Sequence, residues 1–386
     1  MRVRRVIVID GLGIGHLLEL SPAEAAAGFF TPLAIFVAFF LAQLVLPGVR
    51  VPGYVIDPRT GQTRKYRLNG ILVFAIALAV WGFELTGMPR DWFYRSSVYA
   101  VAGGTVFTAS FTAIAVLTQP AESSKGLLAA LWSGRVRELS FFRDRVDLKM
   151  YFYVVGGTML SLNALSGAAY HYQRFGDDFN PGVFLYAGFL TYYVLDYFVF
   201  ERVQLYTFDV IHEKLGFKMF WGGMVVFGWL FILPLWGMAA HPSPEFHSPW
   251  ALIWLIAAPV LYLTGNGIAR ATNMQKYTFK RWPERKFLGI IEPEYIQAGD
   301  RKILCSGLWG LARHLNYFGE FVMGLAIVLA FGYFANPWSW IYLVYVVTLF
   351  TVRQREDDHY CAEKYGDEKW AEYQARVQYR IIPGIY

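Results

Sequence analysis

Two polar stretches near the C-terminus gather the residue types able to do chemistry: Gly307-Leu-Trp-Gly-Leu-Ala-Arg-His-Leu-Asn-Tyr-Phe-Gly-Glu320 and Arg353-Gln-Arg-Glu-Asp-Asp-His-Tyr-Cys-Ala-Glu-Lys-Tyr-Gly366. Arg353, Asp357, Cys361 and Tyr365 stand four apart, so on a helix a cation, a carboxylate, a thiol and a phenol line one face. The same spacing suits an interfacial helix with a snorkelling arginine and an intrahelical Arg–Asp pair. Upstream, Lys276, Lys280, Arg281, Arg285 and Lys286 place five cations in eleven residues. Such a cluster clamps a phosphate through charge-assisted hydrogen bonds, or satisfies the excess of basic residues on the cytoplasmic side of a membrane span. A third group, Tyr193, Asp196, Tyr197 and Glu201, lies in an apolar run. A carboxylate near the bilayer centre costs about 2.5–3.5 kcal/mol on insertion scales, so it faces a bundle interior or a wet cavity. Asp196 serves there as a functional group or as glue between helices, and Glu201 as a functional group or an interfacial partner of Arg202. His212-Glu213-Lys214 has ligand types without a second His at the right spacing, so no metal site is expected, and neither a Gly-x-Gly-x-x-Gly after a strand nor a P-loop is present.

The elements that must position these residues are membrane helices. The chain has 386 residues, 56% apolar, 18% aromatic and 17% charged, with a mean hydropathy of +0.34. That is the composition of an all-α polytopic membrane protein. Runs able to cross the bilayer, which takes roughly 20 residues, lie near 25–47, 69–88, 97–118, 150–172, 181–201, 216–240, 250–270, 319–335 and 337–352. About nine or ten helices are expected, the last two as a tight hairpin around Ala335-Asn-Pro-Trp-Ser339. Lys and Arg fill 50–67, 125–149, 202–218 and 270–302 but leave 173–180 and 241–249 nearly bare, which puts the former set and the C-terminus in the cytoplasm. The odd count would leave the N-terminus outside, against the basic Met1-Arg-Val-Arg-Arg5. Asp10, His16 and three glycines interrupt the next apolar stretch and make a cleavable signal peptide a poor fit.

Cys305 and Cys361 both fall on the cytoplasmic side, where thiols stay reduced. The net charge of +6 follows from the basic loops and anionic lipid, and nucleic acid is not an expected partner. Residues 119–149, 271–318 and 354–386 should form a cap of short helices and loops, with Gly366 ending one helix and Asp367–Val377 forming an amphipathic one. The division expected is an N-terminal segment 1–24, membrane helices 25–240 and a C-terminal part 241–386.

At the two opening segments the chain resembles the integral-membrane sterol reductases, the family of sterol C14-reductase, 7-dehydrocholesterol reductase, the C24(28) reductase and the C-terminal domain of the lamin B receptor. The resemblance rests on Leu304-Cys-Ser-Gly-Leu-Trp309-Gly-Leu-Ala-Arg313-His314-Leu-Asn316-Tyr317-Phe-Gly-Glu320, on Arg353 through Gly366 and on Val377-Gln-Tyr-Arg-Ile-Ile-Pro-Gly-Ile-Tyr386. Weaker colinear matches are Tyr66-Arg-Leu-Asn69-Gly70, Val146-Asp147-Leu-Lys149, Asp196-Tyr197 with Glu201, Asp209 to Gly216 and Asn273-Met-Gln-Lys276. The chain begins near the family's second helix, which would account for the odd count.

The resemblance implies a bundle of about ten helices whose C-terminal part binds NADPH, 25–240 being the sterol side. Carried over by position, the nucleotide would meet Lys276, Lys280, Arg281, Leu304, Trp309, Asn316, Tyr317, Arg353, Asp357, Cys361, Tyr365 and Tyr373. The residue chemistry agrees: cations suit the 2′-phosphate and diphosphate, an aromatic ring stacks, and Asn316 carries both a donor and an acceptor for an amide. The implied reaction is reduction of a sterol carbon–carbon double bond, with Tyr193 and Asp357 as acid candidates and Asp196 and Glu201 in support. Arg313-His-Leu-Asn-Tyr317 favours the C14 and C7 branches over C24(28). The implied partners are a sterol and membrane lipid, in a bacterial inner membrane or the endoplasmic reticulum.

Departures from the family pattern cluster on the sterol side. Arg137-Glu-Leu-Ser140 stands where the family has Leu-Asn-Pro-Arg, Tyr153-Val-Val-Gly-Gly157 where it has Glu-x-Arg-Pro-Gly, Arg202 where it has a second glutamate, and Gly222-Gly223 where it has Gly-Asp. Two other classes stay open. Membrane methyltransferases of the isoprenylcysteine type share part of the C-terminal signature and use S-adenosylmethionine, although they carry Pro where Leu315 stands. A non-catalytic sterol binder is the other.

Overall fold

A computed structural model describes residues 13–57, 60–118, 126–244 and 250–386. Most of the N-terminal segment, residues 119–125 of the first polar segment and 245–249 of the last external connection lie outside these. The chain divides into two compact units, Met1–Pro244 and Glu245–Tyr386.

In the first unit, helix α1 (Pro22–Val45) leads into a hairpin of β1 (Val49–Ile56) and β2 (Thr63–Leu68), then α2 (Gly70–Gly82) and α3 (Ser97–Leu117). A short hairpin, β3 (Ser140–Phe141) and β4 (Val146–Asp147), leads directly into α4 (Leu148–Phe175), followed by α5 (Pro181–Val199) and α6 (Phe217–Met238). In the second unit, α7 (Trp250–Arg281) precedes a hairpin of β5 (Tyr295–Ala298) and β6 (Arg301–Leu304), the single turn α8 (Leu308–Leu311), α9 (Leu315–Phe331), α10 (Pro337–Tyr365) and α11 (Asp367–Arg376). Each of the nine apolar runs is helical. Among the described residues α1, α3, α4, α5 and α6 are long and apolar enough to cross a membrane, while α2 and α9 are shorter apolar helices. The remaining two runs are the apolar parts of α7 and α10, which continue into polar sequence. The architecture is an all-α polytopic bundle with, among the described residues, three two-stranded hairpins.

The helix starts are written in the sequence. Ser21 and Glu24 form a reciprocal capping box before Pro22, Asn180 accepts from the Gly182 N–H before α5, and Asn336 accepts from the Trp338 N–H before α10. Each satisfies a backbone donor that the first helical turn leaves without a partner. At the far end of α1, Asn69 Nδ2 donates to the carbonyls of Gln43 and Leu46 at 3.1 and 3.3 Å, and Arg67 reaches the Gln43 carbonyl at 2.8 Å. The Tyr66–Gly70 motif is therefore, in part, a cap on a helix laid down some twenty residues earlier.

Two helix crossings depend on missing side chains. A Cβ on Gly156 of α4 would run into the Gly223 carbonyl of α6, and one on Gly319 of α9 would meet the Ala269 backbone nitrogen of α7 at 2.7 Å. In lipid, where expulsion of water does not drive helices together, small residues let backbones approach and dispersion contacts accumulate. Gly222–Leu230 is wound as a π-helix, so the crossing coincides with a local change of helical pitch.

Candidate active site

The second unit holds the residues expected at a nucleotide site. Lys276, Lys280 and Arg281 lie on the last turns of α7, Leu304 ends β6, Trp309 sits in α8, Asn316 and Tyr317 open α9, and Tyr373 is on α11. Arg353, Asp357, Cys361 and Tyr365 form the expected stripe on α10, which runs unbroken through all four.

Trp309 is the hub. Its Nε1 donates to the Thr272 carbonyl at 2.9 Å, the Lys276 ammonium lies 4.8 Å from its ring centre, and the Tyr373 hydroxyl donates to its carbonyl at 3.4 Å. Leu304 packs with Trp309 and Phe279, while Cys361 and Tyr365 pack against the buried group containing Tyr373 and Trp370. Arg281 lies over Trp282, 4.9 Å from its ring centre.

A second cluster joins α9 to α10. The Tyr317 hydroxyl donates to Asp357 Oδ2 at 2.8 Å. Its ring is sandwiched by stacking, with His314 at 5.0 Å and Phe350 at 4.3 Å between centres. His314 is 3.9 Å from both Asp357 and Asp358, and Asp358 faces Arg313 at 3.4 Å and Arg380 at 3.9 Å. The C-terminal tail locks this arrangement: the Arg313 and His314 N–H groups donate to the Tyr379 and Arg380 carbonyls at 3.0 and 2.7 Å, and Arg313 Nη1 reaches the Val377 carbonyl at 3.4 Å. Gln354 and Arg380 donate to the Tyr386 hydroxyl at 3.1 and 3.2 Å. Arg313, His314 and Asp358 had no role assigned from sequence. Their signal was present, since Arg313-His314 and the terminal Ile-Tyr both belong to matched motifs, but nothing in one dimension pairs them.

Burial sets the charges beyond the apolar part of each helix. Burial pushes the Lys280 ammonium well below the usual lysine range, aided by repulsion from Lys276 and Lys364. Burial likewise raises the Cys361 thiol to about 11, against the pull of Lys276 and Lys364. Cys361 is thus a neutral thiol at physiological pH rather than a nucleophile. Asn316 Oδ1 is buried without a hydrogen-bond partner, an acceptor that ordinarily finds a donor.

In the first unit, Tyr193 is half-buried and Asp196 buried, both on α5; Glu201 is buried just beyond it. Glu201 Oε2 accepts from the Gly70 N–H at 3.2 Å, and a side chain on Gly70 would strike Phe198 and Glu201. The buried Tyr197 hydroxyl has no hydrogen-bond partner. Below them sits an ion-pair network: Arg64 bridges Glu138 at 3.2 Å and Asp147 at 2.9 Å, and Lys149 reaches Glu138 at 3.2 Å and the Val210 carbonyl at 2.8 Å. Asp147 caps α4 through the Lys149 and Met150 N–H groups. Its carboxyl is nonetheless pushed up to about 6 by burial, which outweighs Arg64.

The family model described as the Ergosterol biosynthesis ERG4/ERG24 family matches residues 14–386. The chain belongs to this family. It is 31% identical to the Delta(14)-sterol reductase of Methylotuvimicrobium alcaliphilum over 96% of this chain and 89% of that one. It is 29% identical to the Delta(14)-sterol reductase of Arabidopsis thaliana, covering 91% of this chain and 94% of that one. The Mus musculus Delta(14)-sterol reductase is 34% identical over 53% of this chain and 47% of its own. Membership extends through the first unit, so the departures at Tyr153–Gly156 and Gly223 are variations within the family. Gly156 packs against Gly223, so these two departures lie on the two sides of a single helix contact.

Proposed function

We propose that the chain reduces a carbon–carbon double bond of a sterol, the C14 bond ahead of C7 and C24(28), with NADPH as reductant. The observation that carries this reading is 31% identity to a Delta(14)-sterol reductase across nearly the full length of both chains. Arg313-His-Leu-Asn-Tyr317 supports placing C14 and C7 ahead of C24(28), and the Delta(14)-sterol reductase relatives support placing C14 first.

The second unit's chemistry supports a nicotinamide nucleotide. Lys276 and Lys280 suit phosphate oxygens, Trp309 presents a ring next to them, and the unpartnered Asn316 Oδ1 suits a carboxamide donor. Arg353, Asp357, Cys361, Tyr365 and Tyr373 would complete the cradle, on the cytoplasmic side where the basic loops lie. When bound, NADPH supplies the hydride. An isolated alkene is a poor hydride acceptor, so the protein must add a proton and stabilise a tertiary, carbocation-like centre. Tyr193 and Asp357 are the proposed donors, with Asp196 and Glu201 holding the first in place; Tyr317 orients Asp357 through its 2.8 Å hydrogen bond.

Anaerobic incubation of detergent-purified protein with NADPH and Δ14, Δ7 and Δ24(28) sterols, read by mass spectrometry, tests the reading. A saturated Δ14 product is expected. NADPH binding without product from any sterol would overturn the reductase reading, and binding of S-adenosylmethionine in place of NADPH would favour the methyltransferase. Tyr193→Phe and Asp357→Asn then divide the roles: lost turnover with unchanged NADPH affinity marks a donor, lost affinity a cofactor ligand.

A further inference from the structure

Between α7 and β5 the chain makes a small closed turn that the reductase reading does not use. The Phe287 N–H donates to the Ile291 carbonyl at 2.9 Å and the Ile291 N–H to the Phe287 carbonyl at 3.0 Å. Phe287 is buried at the base, while Leu288 and Ile290 at the tip are 73% and 75% exposed. Leu288 has φ +53° and Gly289 φ +75°, and a side chain on Gly289 would meet nothing within 4 Å. A leucine held in the left-handed region at a tip with two large apolar side chains facing outward is costly in water on both counts.

Position and charge identify what covers it. Phe287 and Ile291 line one small cavity with Gln275 and Thr278, so the turn folds back along α7. Gln275 is five residues past the end of the 250–270 apolar run, about 8 Å at the helical rise, level with a headgroup layer roughly 5–8 Å deep. Around the turn, Arg281 and Arg285 lie over the exposed Trp282 ring at 4.9 and 5.3 Å. The acids nearby are engaged, Glu284 with Lys302 at 2.8 Å and Glu292 with Lys286. Aliphatic side chains at the tip, a tryptophan and arginines beside it are the components of an interfacial lipid anchor.

We propose that the Phe287–Ile291 turn is such an anchor: Leu288 and Ile290 enter the acyl boundary of the adjacent leaflet, and Arg281 and Arg285 meet the phosphates of anionic lipid. The turn thereby holds the β5–β6 hairpin, and the Leu304–Trp309 segment that follows it, at the membrane surface. This assignment is independent of the substrate, and it gives Arg281, which the family resemblance puts at the nucleotide, to lipid instead.

The test uses the full chain in nanodiscs holding one copy each, of phosphatidylcholine with phosphatidylglycerol, carrying an environment-sensitive fluorophore at Ile290→Cys or at Asp300→Cys in the exposed β5–β6 turn. The unsubstituted chain, with Cys305 buried and Cys361 half-buried, gives the labelling background. At position 290 the expected result is several-fold weaker quenching by iodide than at 300, together with strong quenching by lipids that carry a nitroxide near the headgroup. The charge component predicts that Arg281→Gln with Arg285→Gln raises iodide access at 290 to the level seen in phosphatidylcholine alone. Equal iodide quenching at 290 and 300 overturns the proposal. Protection from iodide without quenching by nitroxide lipid also overturns it, because protein and not lipid then covers the turn.

Discussion

Gly156 against Gly223 in the first unit and Gly265 against Gly319 in the second close two helix crossings by the same means, but the polar groups of the two units are arranged on opposite principles. In the first, Arg64 and Lys149 meet Glu138 and Asp147 in an internally neutral network. In the second, Lys276, Lys280 and Lys364 surround one thiol, and each lysine disfavours the charge of Lys280 or draws on that of Cys361. Buried charges that neutralise each other hold helices in register; like charges gathered at one place store repulsion that an anion relieves. The contrast separates a framework from the proposed receptor for the nucleotide, even though both are built from the same residue types.

The largest test of that contrast lies at Arg313 and Asp358, a buried ion pair of the second unit that behaves like those of the first. Asp358→Ala would leave Arg313, which is 5% exposed, buried without its carboxylate. It should cost about 3 kcal/mol, lowering the melting temperature and speeding tryptic cleavage in the tail after Arg376 and Arg380. In the first unit, Gly156→Ala forces a methyl into the Gly223 carbonyl and should cost roughly 1–3 kcal/mol, while the Kd for NADPH stays unchanged. A changed Kd would break the division between framework and receptor. In the receptor, Lys276→Ala should reduce preference for NADPH over NADH by roughly tenfold to a hundredfold, the worth of one charged hydrogen bond, with thermal stability barely moved.

The next effect is a pH dependence. With its pKa depressed, Lys280 in the free protein lacks its proton over a window that ends at the ordinary lysine value, and a bound phosphate restores it. Binding within that window then takes up a proton, so affinity weakens as pH rises through it, by at most about tenfold per pH unit for one proton. Calorimetry in buffers of different ionisation enthalpy measures that proton, and Lys280→Met should remove it. Smallest is Tyr373→Phe, which deletes a 3.4 Å hydrogen bond to the Trp309 carbonyl and should cost less than about 1 kcal/mol.

Much of the fold was legible because the lipid environment demands it. Nine apolar runs were helices, Asn336-Pro337 made the expected hairpin, and Gly366, at φ +86°, ended α10 before the amphipathic α11. The stripe Arg353–Asp357–Cys361–Tyr365 followed from helical spacing alone. The three hairpins were missed, β1–β2 above all, because their strands lie in the charged loops that a topology reading treats only as markers of sidedness. The tail's role was also hidden: Arg313 meets Tyr379 and Val377 through backbone carbonyls, groups that every residue carries and that leave no trace in side-chain identity.

Gly156 and Gly223 show the same limit from the other side. Each reads alone as a departure from the family pattern, and only the structure places the two on opposite sides of one helix contact. The sequence by itself determined the membrane class, the helices, their caps and the list of chemical groups, because hydrophobic length, capping and helical spacing are local properties of the chain. The tertiary structure decided which groups neutralise each other and where like charges come together, because ion pairing, burial and backbone contact depend on distances between residues far apart in the chain.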